Sequence, residues 1–104
     1  MIEVTILVPL ADNDGEHFSA THHRVFEAFV LDRFGGLSWL PKGSEGLWRD
    51  EGGITYRDAT VAMVVAVEGM VKQADALREV IDFAKAHYRQ LAIYTRYLGV
   101  AEIV

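Results

Sequence analysis

Apolar residues along this chain recur with two different periods, and the change of period marks its elements. The most apolar stretch is Thr60–Val67. Its odd positions are Val61, Met63, Val65 and Val67, and its even positions are Ala62, Val64 and Ala66. Apolar side chains on both faces mark a strand covered on both sides. Ile2–Val8 alternates instead: Ile2, Val4, Ile6 and Val8 form one apolar face, Glu3 and Thr5 make the other partly polar, and Pro9 ends the run. Gly35 to Val67 reads as two strands joined by a turn. Asp50-Glu51-Gly52-Gly53 supplies the turn chemistry. β-Branched and aromatic residues flank it, in Leu37–Leu40 and Gly46–Arg49 before and Ile54–Arg57 after, as strands prefer. Pro41-Lys42-Gly43-Ser44 interrupts the first of the two. Proline cannot donate to a ladder, so that strand belongs at a sheet edge. A turn centred on Glu51 and Gly52 places Trp48 opposite Thr55 and diagonal to Arg57, with Tyr56 and Asp58 on the other face.

Two stretches carry the helical period. From Glu16 or Ser19 to Phe34, residues Phe18, His22, Val25, Phe26, Phe29 and Arg33 fall on one face, and Gly35-Gly36 stops the helix. From Lys72 to Arg89, Ala74, Leu77, Ile81, Ala84 and Tyr88 lie beside a second stripe of Ala76, Val80, Phe83 and His87. Together they make a face wide enough to pack on a sheet. Leu91–Tyr97 is the last full strand, followed after Gly99 by an apolar tail, Val100–Val104. The order is β-α-β-β-α-β over residues 1–104 as one domain. It predicts an α+β, ferredoxin-like fold with a four-stranded antiparallel sheet and two helices on one face. The first and third strands are then central, the second and fourth at the edges.

Composition narrows the function classes. The chain has 104 residues, is 51% hydrophobic and carries a net charge of −5. It has no basic run, which argues against nucleic acid, where phosphate neutralisation needs clustered Lys and Arg. Without cysteine there is no thiolate chemistry. No signal peptide is visible and the apolar runs are too short for a membrane helix, so a soluble cytoplasmic protein with no membrane partner is expected. No cofactor is implied. No metal site is implied either. Asp12, Asp14 and Glu16 lack the further ligands of a calcium loop, and His17, His22 and His23 lack the i, i+4 spacing that puts two imidazoles on one helical face. His22, on the apolar face, reads as a partly buried histidine.

Phe34-Gly-Gly-Leu-Ser38, then Glu45-Gly-Leu-Trp-Arg-Asp50 and Tyr56-Arg-Asp58, resembles a pattern in small bacterial ferredoxin-like proteins of uncharacterised function. In these a helix ends in Phe-Gly-Gly-Leu-Ser or -Thr and a Gly-x-Trp strand precedes the turn. The resemblance implies the same fold and brings no activity with it.

No nucleophile–base–acid set and no phosphate loop can be assembled. The suggestive residues are aromatic and cationic. His22, Trp48, Arg57, Tyr94 and Arg96 are the candidate ligand-binding residues, because an arginine beside an aromatic ring suits an anionic or planar ligand. Tyr97 and Glu102 lie nearby in sequence. The same residue types anchor interfaces. The expected function is therefore an oligomeric structural or protein-interaction domain, with the uncovered sheet face, a sheet edge or the tail joining copies into a dimer or higher homo-oligomer. The alternative is a small-molecule-binding protein or enzyme, with its pocket between sheet and helices near His22, Trp48 and Arg57.

Overall fold

The computed structural model describes residues 1–40 and 44–100, with backbone alone for Ser44, Trp48, Met70 and residues 98–100. Its elements are β1 (Ile2–Pro9), α1 (Ala20–Phe34), β2 (Ser38–Trp39), β3 (Ser44–Arg49), β4 (Thr55–Val67), α2 (Met70–His87) and β5 (Thr95–Val100). The sheet is antiparallel throughout, in the order β2-β4-β1-β5, with β3 also pairing with β4. This is the ferredoxin-like arrangement expected from the pattern: Thr60–Val67 lies centrally beside β1, and the split strand β2/β3 lies at one edge. The break expected in this strand covers Pro41, Lys42, Gly43 and Ser44. The first three lie outside the described residues, and Ser44 is the first residue of β3.

Pleating decides which residues make the core. Val4 pairs with Val65, Ile6 with Met63 and Ile2 with Val67. Val4, Ile6, Met63, Val65 and Val67 are fully buried beneath the helices, with Phe26 and Val30 of α1 and Leu77, Val80, Ala84 and Tyr88 from α2 and its end. The alternate set, Glu3 with Ala66, Thr5 with Val64 and Leu7 with Ala62, forms the uncovered face. Thr5 and Ala62 are still buried there, while Ala66 is exposed.

Helix α1 begins at Ser19, whose side chain accepts from the His22 N–H at 3.0 Å, and ends at Gly35, held at φ 74°. That left-handed angle suits glycine and lets Gly35 N–H reach the Leu31 carbonyl at 2.8 Å. The helix is rotated from the face expected of it: Val25 is 48% exposed, and Val30, not assigned to that face, is buried. The reason is the aromatic seam with α2. Phe29 stacks on Phe83 at 4.0 Å and the Arg33 guanidinium lies 3.4 Å from the Phe29 ring centre. This turns Phe26 and Val30 toward the sheet. Helix α2 has non-helical angles at Gln73, whose side chain accepts from the Glu68 N–H at 2.6 Å.

Two further expectations are corrected. The last strand is Thr95–Val100, not Leu91–Tyr97, and Leu91 is fully exposed. Helix α2 stops at His87, Arg89 turns the chain at φ 53°, and the chain joins the ladder only where β1 offers partners, Ile6 opposite Thr95. The hairpin register also differs by one: Trp48 pairs with Tyr56, Arg49 with Thr55 and Leu47 with Arg57. The loop is centred on Gly52, between Asp50 and Ile54, rather than between Glu51 and Gly52. Asp50 pairs with Ile54 through Asp50 N–H to the Ile54 carbonyl at 2.9 Å, and Gly53 takes φ 83°. The Asp50 carboxylate fixes this loop by accepting from Ile54 N–H at 2.9 Å and Tyr56 hydroxyl at 3.1 Å.

β4 outruns β1. β1 pairs with it only from Thr60 onward, so β3 and residues 55–59 form a two-stranded ribbon beyond the sheet, with Thr55–Ala59 all exposed. Among the described residues no helix is long and apolar enough to cross a membrane.

Candidate functional site

One groove, larger than a second described below, lies between α2 and the β5 edge. It has a volume of about 470 Å³ and is open to solvent. Ala74, Leu77 and Ile81 supply its apolar floor, Arg78, Asp82 and Lys85 its charged rim, and Tyr97 its sheet side. The placement follows from the two periods. On α2, positions 74, 77, 78, 81, 82 and 85 follow the helical repeat and share one flank of the helix. On β5, Tyr97 pairs with the buried Val4 and so stands on the helix side of the sheet. Tyr97 is 52% exposed. A site of this size falls in the range of small-molecule pockets, roughly 300–1,000 Å³.

The second groove, about 290 Å³, lies between α1 and the β2 edge and is lined by His23, Arg24, Trp39, Leu40 and Val61. Its polar groups are already committed. Trp39 donates its indole N–H to Glu27 at 2.6 Å, and Arg24 bonds the same carboxylate oxygen at 2.5 Å. His23 Nδ1 lies 2.8 Å from the Tyr88 hydroxyl. Burial holds the Tyr88 phenol well above its ordinary range. Partial burial, then the charges of His22, His87 and Arg24, hold His23 below the ordinary histidine value.

The five sequence candidates do not meet. His22 sits in the α1–α2 seam, stacked on His87 at 3.7 Å and on Phe18 at 4.8 Å. Arg57 is on the ribbon, paired with Glu45 at 2.8 Å, and Trp48 occupies the register position opposite Tyr56. Arg96 pairs with Thr5 on the uncovered face, its guanidinium 6.0 Å from the Tyr94 ring centre. Neither groove is lined by any of the five. Glu102 and the tail from residue 101 lie outside the described residues. The sequence singles out Tyr97 and puts Ala74, Leu77 and Ile81 on the sheet-packing face of the second helix, but nothing in it singles out Arg78, Asp82 and Lys85. Their i, i+4, i+7 spacing was the available signal, and it is also the signal of an ordinary solvated helix face. Among the described residues no group of three or more His, Asp or Glu is placed to hold a metal ion.

No protein-family model matches the chain, and no curated protein does. Solved structures do. A phage SAM lyase in complex with S-methyl-5′-thioadenosine superposes with a TM-score of 0.61, at 12% identity, over 97% of this chain and 92% of that one. A phage SAM lyase in the apo state gives 0.56 and 10% over the same shares. At such identities the likeness establishes the fold. It also corrects the expectation of a non-catalytic structural or interaction domain: these whole-length counterparts are enzymes, one of them holding a small nucleoside. The alternative, a small-molecule-binding protein or enzyme, is the reading that remains.

Proposed function

We propose that this protein is an enzyme that cleaves S-adenosylmethionine, or a close sulfonium nucleoside, and releases S-methyl-5′-thioadenosine. The observation that carries the reading is the end-to-end likeness to the phage SAM lyase in complex with that nucleoside. Fold alone hosts many chemistries, so the groove between α2 and β5 is the second support. The proposed substrate carries a planar base, a ribose diol, a cationic sulfur, an ammonium group and a carboxylate. The groove offers the Tyr97 ring to the base, the Asp82 carboxylate to the diol or the cations, and Arg78 or Lys85 to the carboxylate, over an apolar floor. In the cleavage the substrate's own carboxylate attacks the carbon bound to sulfur, and the carbon–oxygen bond that forms closes a homoserine lactone. The bonding pair of the sulfur–carbon bond stays with sulfur, which becomes a neutral thioether. Such a leaving group needs no proton. The lack of a nucleophile–base–acid set in the sequence is therefore compatible with the reaction, and what the protein has to supply is positioning and exclusion of water.

The calorimetric titration of S-methyl-5′-thioadenosine into the protein tests the site. Saturable one-site binding is expected, with Tyr97→Ala weakening it about tenfold, as loss of one base–aromatic stack does. Binding unaltered by both Tyr97→Ala and Asp82→Asn would remove the groove from the proposal. We further assign the chain to one domain, to the cytoplasm, to the small bacterial group that its Phe-Gly-Gly-Leu-Ser and Gly-x-Trp pattern resembles, and to a homo-oligomer. The half-buried apolar residues Val64 and Leu7 on the uncovered face support the last of these.

A further inference from the structure

The sheet face away from the helices has an apolar middle and two charges. Leu7 of β1 and Val64 of β4 stand there half-buried, beside the buried Thr5 and Ala62. On β5 the face continues with Tyr94 and Arg96. Leu7 N–H donates to the Tyr94 carbonyl at 3.0 Å, one step beyond the Ile6–Thr95 pair, so Tyr94 stands next to Leu7. Tyr94 is 58% exposed, and the Arg96 guanidinium lies 6.0 Å from its ring centre. Toward the other end of β1, Glu3 pairs with Ala66 on β4 and with Leu98 on β5. The even positions of β4 carry the same face onto the ribbon through Asp58 and Tyr56, since alternate residues of a strand share a side. A tyrosine and an arginine around aliphatic groups match the composition of an interface.

The charges identify what covers this face. Glu3 and Arg96 lie on adjacent strands, Glu3 two residues from the Thr5 that pairs with Arg96. Among the described residues neither enters an ion pair. One unpaired acid and one unpaired base on a single face make it self-complementary. A two-fold axis passing between them sets each acid against the other copy's base. A partner of one charge sign would satisfy only one of the two. The area agrees with a second copy. The chain exposes 7083 Å², where a compact monomer of 11.6 kDa exposes about 5,800 Å². The excess, about 1,200 Å², is more than the roughly 800 Å² that each partner of a stable interface gives up.

We propose that a second copy of the chain packs face to face on this sheet about a two-fold axis, with Glu3 of each copy meeting the partner's Arg96 beside Leu7, Val64 and Tyr94. The proposal rests on the homo-oligomer assigned above and names its surface. Sheets packed in this way interdigitate their side chains across the contact. The groove between α2 and β5 lies on the helix side, so both copies keep it open.

Sedimentation equilibrium at micromolar concentration and low salt, on proteins first shown to melt cooperatively, tests the contact. The wild-type protein is expected to sediment as a dimer. Glu3→Arg and Arg96→Glu each set like charges against one another at both symmetry-related contacts. Each is expected to raise the dissociation constant about tenfold or more, and the double variant to restore it. Val64→Lys is expected to leave a monomer. A dimer indifferent to the single reversals, or not restored by the double, overturns this face and leaves the homo-oligomer standing. So does a stable trimer, which a two-fold face cannot build. A wild-type monomer at every concentration overturns both. Should a reversal variant fail to melt cooperatively, Glu3→Gln and Arg96→Gln take its place. Each is expected to weaken the dimer about threefold or more and to reduce its salt dependence, and an unchanged constant overturns the face.

Discussion

Replacing Val65 with Asp tests the position of β4 most severely. Val65 is fully buried and pairs with the equally buried Val4. The core around it is apolar, formed by Ile6, Met63, Val67, Leu77 and Val80 among others. Losing the valine burial costs about 2 kcal/mol. Holding the new carboxyl neutral at pH 7, against an ordinary value near 3.9, costs about 4 kcal/mol. Burying the neutral acid without a partner adds about 2 kcal/mol. The total, about 8 kcal/mol, is comparable with the whole stability of a domain this size, roughly 5–15 kcal/mol. Val65→Asp is therefore expected to show no cooperative melt by circular dichroism at pH 7. Its neighbour Ala66 is exposed and stands opposite Glu3 on the other face of the pleat. Ala66→Lys should accordingly stay within about 0.5 kcal/mol of the parent in urea unfolding. A cooperatively folding Val65→Asp with a near-parental midpoint would refute the central burial of this strand.

The Tyr88 phenol is held above its ordinary value by burial. The unfolded chain thus ionises first, and stability should fall as pH rises from about 10. Tyr88→Phe should remove that alkaline loss while costing about 1 kcal/mol at neutral pH for the bond to His23, as urea titrations at pH 7 and pH 10.5 would record. Self-association is expected in sedimentation equilibrium at micromolar concentration. A mass of one chain, 11.6 kDa, with no concentration dependence would contradict it.

The order of elements and the central place of Thr60–Val67 were legible because period-2 and period-3.6 patterns leave little freedom once Pro41 and the glycines punctuate them. The details that failed depend on contacts between elements. Val25 and Val30 lie five positions apart on α1, and only the stacking of Phe29 on Phe83 decides which of them turns inward. The one-residue register difference at the ribbon comes from Asp50, whose carboxylate holds Ile54 N–H and pairs the two residues. An Asp-Glu-Gly-Gly run suits either loop. The candidate site was the least legible part. Arg and aromatic residues cluster in sequence on the ribbon and at the start of β5. The larger groove instead joins one flank of α2 to Tyr97, which are brought together only when β5 pairs with β1. The histidines show the same dependence: His22 and His87 are far apart in the chain, and nothing local in either stretch announces their stack.

Incubation of the purified protein with S-adenosylmethionine, followed by chromatographic measurement of released S-methyl-5′-thioadenosine, tests the proposed function most directly. Release proportional to protein concentration, well above the spontaneous rate and reduced at least tenfold in Tyr97→Ala, is the expected result. Release no faster than in buffer alone, from protein shown to be folded by its cooperative melt, would contradict the assignment.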